Sequence, residues 1–358
     1  MATMSYHEQM DQINIKKLRE LQKDLPAFAG DFFRAMEIKK ATNTRRNYAY
    51  DLSTFFYFLK SQNPYFKDKD IRTLPVSILD DLQPVDIEEY LSFLTLYEKD
   101  GHVFRNHEEG KARKLATLNT FFGYFHKKEM IQKNAPSVVD VPKIKEKNII
   151  RMDANEVAQL IDNIESGEKL SKTQKIWHNK NKLRDLAIVV TLLGTGVRVT
   201  ELVGLDISDL DFDNGAIRVI RKGGNEDIVY FGEETEEMLR NYLDERLTME
   251  PESGHENALF ISQKNTRITV RSVERLVKKY ASTATAKKIT PHKLRSTYGT
   301  SLYQETGDIY LVADVLGHQN VNTTRKHYAA MKEDNKRKAA RVIQLREKQD
   351  AYTGRDVL

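Results

Sequence analysis

The chain has 358 residues, long enough for two domains that each bury a core. Its 57 Lys and Arg stand against 52 Asp and Glu, a net charge of +5, so charge alone does not mark a nucleic-acid binder and only its local distribution can. The absence of cysteine excludes disulfides, thiolate metal sites and cysteine nucleophiles; no apolar run reaches the roughly 18 residues of a membrane span, residues 1–11 lack the build of a signal peptide, and a cytoplasmic protein without a membrane partner is expected.

After Asn43-Thr44, Tyr48, Leu52, Phe55, Phe56 and Leu59 recur at helical spacing. Arg45 and Arg46 fall in the first turn, where cations oppose the helix dipole and gain from an outside anion. Pro84-Val85-Asp86 opens a second helix with Asp86 as a cap and an apolar stripe of Ile87, Tyr90, Leu91 and Leu94. A third follows Lys111: Leu115, Leu118, Phe122 and Phe125 share one face, while Lys111, Arg113 and Lys114 crowd its start. These cations suit a DNA backbone, and they equally suit the solvated face of an ordinary amphipathic helix. The rings sit at core spacing and are read as packing.

Residues 134–149, with two prolines, several lysines and no sustained periodicity, read as a linker. Beyond it Asp153 and Glu156 have capping-box spacing, and Leu183 begins an apolar helix that breaks at Gly194-Thr195-Gly196. Alternating segments at 216–221 and 226–231 flank Lys222-Gly223-Gly224-Asn225, a β-hairpin signal. Residues 270–280, 291–303 and 311–316 read helical, so the expected class is mainly α with a small antiparallel sheet.

Six residues in the second half have chemistry suited to a phosphate. Arg198 follows the Gly-Thr-Gly turn, and its fork can hold two non-bridging oxygens at once, although a salt bridge with Glu201 is the plainer reading of that residue alone. Lys222 sits at the hairpin tip, where an ammonium can protonate a departing 5′ oxygen. His292 and Arg295 are one helical turn apart, behind Thr290-Pro291 at a helix N-terminus that favours anions. His318 follows Leu-Gly. Tyr328 supplies a hydroxyl nucleophile, and cations around it would lower the cost of its ionisation. Tyr298, Tyr303 and Tyr310 are rivals at helical core spacing and are read as packing residues.

Together T-G-V-R-V-T-E-L, R-K-G-G, T-P-H-K-L-R-S-T, V-L-G-H and T-T-R-K-H-Y resemble the boxes of the tyrosine recombinase (phage integrase) family, in particular its Xer branch, over about residues 42–340. Within that branch the Lys- and Asn-rich stretch 175–184 is similar to the single-protein recombinases of streptococci. The resemblance implies that Arg198 and Arg295 clamp the scissile phosphate, that Lys222 is the general acid and that His292 and His318 assist proton transfer. It also implies that Tyr328 forms a 3′-phosphotyrosine, with no metal and no cofactor. Tyr328 lies ten positions after His318, one more than the family's usual spacing, with His327 in the ninth place, and Ser296 stands where many Xer proteins carry histidine.

The implied domain plan is an N-terminal extension at residues 1–41, a helical core-binding domain at 42–135, a linker at 136–150, a catalytic domain at 151–332 and a tail helix at 333–358 that docks on a neighbouring protomer. The two domains would form a C-clamp on duplex DNA, with a dimer on each site and a tetramer in the synapse. The implied activity is site-specific strand exchange through a Holliday junction, in resolution of chromosome dimers or in integration of a mobile element. A non-cleaving DNA-binding protein and a type IB topoisomerase are the rivals.

Overall fold

The computed structural model describes residues 4–144, 150–221, 223–318 and residue 321. It divides into two compact units, residues 1–147 and 148–358.

The first unit contains α1 (Tyr6–Gln22), α2 (Ala29–Glu37), α3 (Thr42–Gln62), a single turn α4 (Ile78–Asp81), α5 (Pro84–Phe93), the hairpin β1 (Tyr97–Lys99) and β2 (His102–Phe104), and α6 (Glu108–Lys127). Its core is aromatic: Phe32, Phe55, Phe56, Phe121, Phe122 and Phe125 are all buried. Phe121 meets Phe32 and Phe125 edge-on, with ring centroids 5.1 Å apart in both pairs. Such a pair contributes about 0.5–1.5 kcal/mol beyond burial of its area.

The residues before Thr42 belong to this same core through Leu18, Phe32, Phe33 and Met36. Two side-chain contacts also fasten α1 to the start of α3, where Asn14 donates to the Thr42 hydroxyl at 3.3 Å and that hydroxyl donates to Asp11. Two helix starts differ from expectation. Pro84 is the first residue of α5, so Asp86 acts from the third position, accepting the Gln83 N–H at 2.7 Å. α6 begins at Glu108, ahead of Lys111, because Glu108 and Glu109 suit the positive end of its dipole.

The second unit contains α7 (Ala154–Ser166), α8 (Lys172–Thr195), α9 (Val199–Gly204), strands β3 (Leu210–Asp211), β4 (Ala216–Ile220) and β5 (Glu226–Tyr230), then α10 (Glu233–Leu247), α11 (Val270–Ala284), α12 (Pro291–Thr306) and α13 (Ile309–Val315). The sheet is antiparallel in the order β3-β4-β5, and the β4–β5 hairpin pairs Ala216 with Tyr230 and Ile220 with Glu226. Gly223 and Gly224 take positive φ at its turn, which residues with a Cβ adopt at a cost.

The expected Asp153–Glu156 capping box is present, with both bonds at 2.9 Å. α8 is much longer than its apolar stretch: Ser171 and Gln174 cap it reciprocally, and the polar residues 175–184 are its first turns. The apolar half, from Leu186 to Leu192, is buried and packs against α10, α12 and α7. α8 thereby fixes the Gly194-Thr195-Gly196 end from which Arg198 leaves.

Candidate active site

α8 ends where Gly196 takes φ 64°, its N–H closing back on the Leu192 carbonyl at 3.2 Å. A Cβ there would lie 2.4 Å from the Tyr298 ring and 2.9 Å from Leu316, so only glycine lets this turn approach both α12 and the turn after α13. Arg198 follows directly and is held by Glu201, itself 4% exposed. One carboxylate oxygen of Glu201 accepts the Arg198 backbone N–H at 2.7 Å and the other accepts Nη1 at 2.6 Å. Arg198 Nη2 donates to the Gly317 carbonyl at 3.1 Å. The guanidinium is thus aimed by fixed partners while its side chain stays one-third exposed, at 33%.

Arg295 reaches the same place from α12. It is 4% exposed; Nη1 donates to the Gly196 carbonyl at 2.6 Å and Nη2 to the Leu316 carbonyl. Arg198 and Arg295 therefore bind successive carbonyls, those of Gly317 and Leu316, which makes their guanidinium groups neighbours. His318 is the next residue, half-buried, in a turn closed by Gly317 N–H to Asp314 at 2.7 Å and His318 N–H to Ala313 at 2.9 Å. His292 lies on the first turn of α12, exposed, one turn before Arg295.

Three of the six expected residues, Arg198, Arg295 and His318, are thus joined by hydrogen bonds or adjacent backbone, and His292 shares a helix with one of them. Lys222 and Tyr328, like the tail at 333–358, lie outside the described residues. Among the rival tyrosines, Tyr298 and Tyr303 pack around Val312 and Leu316, and burial pushes the Tyr298 phenol up, away from nucleophilic use. Tyr310 departs from the expected packing role: it is 71% exposed at the start of α13, where the helix is too short to turn that face inward.

The fold places the basic candidates of the first unit in different surroundings. Arg45 is buried and bonds the exposed Glu37 at 2.9 Å. Lys114 is buried on Asp51 at 2.9 Å, and Arg113 pairs with the same carboxylate. Arg46 is half-buried and donates to Asn14 and Asn43, both at 2.6 Å, while Lys111 is half-buried at the start of α6. Spacing locates cations on a helix but does not reveal a distant carboxylate that claims them.

Sequence reading missed Arg221. Its Nη1 donates to Glu201 at 3.1 Å, its Nε to Asp227 at 2.8 Å and its Nη2 to the Val315 carbonyl at 3.2 Å. The available signal was the acidic Asp227 on the facing strand, two positions from the hairpin turn's end at Asn225.

Two neighbouring guanidinium groups repel unless anions lie between or beside them, and Glu201 reaches only one edge of Arg198. Beside a histidine, on rigid turns of a mainly helical unit, such a pair has the charge and the fork geometry to hold a phosphoryl oxyanion. The profile of the phage integrase family matches residues 150–335, the span that contains these turns. The tyrosine recombinase XerC of Caldanaerobacter subterraneus subsp. tengcongensis is 32% identical, with 80% of this chain and 77% of that protein covered. XerS of Streptococcus agalactiae is 28% identical, with 87% and 94% covered.

Among solved structures, the XerH recombinase in a post-cleavage complex with a palindromic difH substrate aligns with a TM-score of 0.61 at 22% identity, covering 84% of this chain and 80% of that one. A lambda integrase dimer bound to a COC′ core site aligns at 0.58 and 18% identity, covering 84% and 93%. At these identities the structures show a shared fold. The chain belongs to the phage integrase family and is a tyrosine site-specific recombinase.

Proposed function

We propose that the chain exchanges DNA strands at a specific duplex site through a covalent 3′-phosphotyrosine and a Holliday junction. The observation that carries this is the placement of Arg198 and Arg295 on successive carbonyls beside His318. Both arginines would hold the non-bridging oxygens of one scissile phosphate, whose negative charge relieves their mutual repulsion. The Tyr328 oxygen forms a bond to phosphorus as the bond to the 5′ oxygen breaks. Its proton passes to an adjacent base, with His292 and His318 assisting, and the leaving oxygen takes a proton from Lys222. General acid work of this kind contributes about 10²–10⁴-fold. A 5′-hydroxyl from a partner duplex reverses the step, so the bond energy is conserved.

Assembly follows from the need for two duplexes: a dimer on each site and a tetramer in the synapse, held largely by phosphate contacts that weaken with salt. The Xer names of the relatives favour resolution of chromosome dimers, in the cytoplasm, over integration of a mobile element. Among the described residues no helix is long and apolar enough to cross a membrane.

Trapping tests the chemistry. Site DNA nicked near the cleavage position should become covalently attached to the wild-type chain, and Tyr328→Phe should bind without attaching. Attachment by the phenylalanine variant would remove Tyr328 from its role. Chromosomal DNA recovered on Tyr328→Phe should map to one locus for dimer resolution, and to element ends for the alternative.

A further inference from the structure

Arg221 stands in the R-K-G-G box just before Lys222, and its side chain, 10% exposed, bonds residues of β5, of α9 and at the end of α13. On the hairpin it bonds Asp227 of β5, and at the start of α9 it shares the Glu201 carboxylate with Arg198. At the end of α13 it bonds the Val315 carbonyl, two residues before the Gly317 carbonyl that takes Arg198. Arg198 and Arg221 therefore form two parallel struts from one carboxylate to one turn.

The turn is shaped around the second strut. Gly317 has φ 58°, and a Cβ on it would lie 2.9 Å from Arg221 Nε and 3.0 Å from its Cζ. The glycine of Leu-Gly-His is thus required twice, by backbone conformation and by the guanidinium lying against it.

We infer that Arg221, the residue that precedes Lys222 in sequence, is a positioning residue that locks the base of the hairpin to the carboxylate and turn that fix Arg198 and His318. The inference rests on the strand-exchange chemistry above and on Lys222 as its general acid. A fork with donors in three directions is needed: lysine in its place keeps the charge but cannot hold Asp227, Glu201 and Val315 together.

The test compares two nicked duplexes carrying the site recovered with Tyr328→Phe. One has the ordinary 5′ oxygen at the scissile position and the other a 5′ sulfur, which leaves as a thiolate without needing a proton. Arg221→Lys should bind both normally, attach to the oxygen duplex about 10²-fold more slowly than wild type, and recover most of that loss on the sulfur duplex. Asp227→Asn, which frees the hairpin and leaves the Glu201 and Val315 bonds in place, should show a smaller loss with the same recovery.

Normal attachment by both variants to the oxygen duplex would overturn the inference, as would equal slowing on both duplexes, the mark of a merely structural role. Either result with active wild-type protein leaves the recombinase reading standing. A wild-type chain that attaches to neither duplex would overturn that reading and the inference with it.

Discussion

Each unit contains a buried carboxylate that gathers two cations, and the two clusters do different things. In the first unit Asp51, 1% exposed, accepts from Arg113, Lys114 and the Thr117 hydroxyl and joins α3 to α6. Lys114 is itself buried, while the Arg113 side chain is 53% exposed. In the second unit Glu201 holds Arg198 and Arg221, but Arg198 remains one-third exposed and continues to a carbonyl beside Arg295. The difference lies in where the cations reach: Asp51 ties two helices together, whereas both cations on Glu201 extend to the Gly317 and Val315 carbonyls beside His318, so that carboxylate aims as well as fastens.

Removing each carboxylate sharpens the contrast. Glu201→Ala should cost about 3–5 kcal/mol in denaturant unfolding, because two buried or half-buried guanidinium groups lose their partner. The same change should slow single-turnover cleavage by about 10²–10³-fold, the scale of losing one oriented charge-stabilising group. Asp51→Ala should cost a similar 3–5 kcal/mol yet leave cleavage per folded molecule unchanged. If its cleavage rate fell as that of Glu201→Ala does, the division between fastening and aiming would be wrong.

Gly317→Ala is expected to act at the junction of the Glu201 cluster, costing about 1–3 kcal/mol through its left-handed φ. It should also slow cleavage by pushing on Arg221, and a normal rate would show that the turn tolerates the displacement. At the start of α7 Asp153→Ala should cost only about 1 kcal/mol, the value of a helix cap, in thermal unfolding, with no kinetic effect.

A pH titration probes the same capping box. Burial would raise the Glu156 carboxyl, but hydrogen bonds from Lys287 and Thr285, both at 2.6 Å, and from the Asp153 N–H outweigh it and hold the group at about 2. Because the folded value lies below the ordinary 4.5, Glu156 stabilises the fold above about pH 4.5 and loses that contribution as pH falls towards 2. Glu156→Gln should flatten the pH dependence of unfolding in that window alone.

Much of this architecture was legible in sequence where local rules act alone. Helical periodicity located α3, α5 and α6, and the box spacing located the start of α7. Glycines between alternating segments located the β4–β5 hairpin. α1 and α2 were not read, although Phe32 and Phe33 enter the core, because α1 is largely polar and α2 is only nine residues long. The start of α8 was hidden by its polar first turns, and α10 by a sequence dominated by Glu. The β1–β2 hairpin did carry a signal, since Asp100-Gly101 is a favoured turn pair and both residues take positive φ.

For the site, residue types and order singled out Arg198, Arg295 and His318, which the fold brings together, but nothing local to Arg221 announces that it meets Val315 94 positions away. Likewise Arg45 and Lys114 looked available because Glu37 and Asp51 lie on other helices. Contacts that close across the fold are what sequence pattern leaves out.

The central claim is that Arg198 and Arg295 serve one phosphate. A structure of the wild-type chain trapped on its nicked site tests it most directly. The account predicts both guanidinium groups within hydrogen-bonding distance, about 3 Å, of non-bridging oxygens of the phosphate joined to Tyr328. Arginines engaged on two different phosphates, or a phosphotyrosine contacted by only one of them, would contradict it.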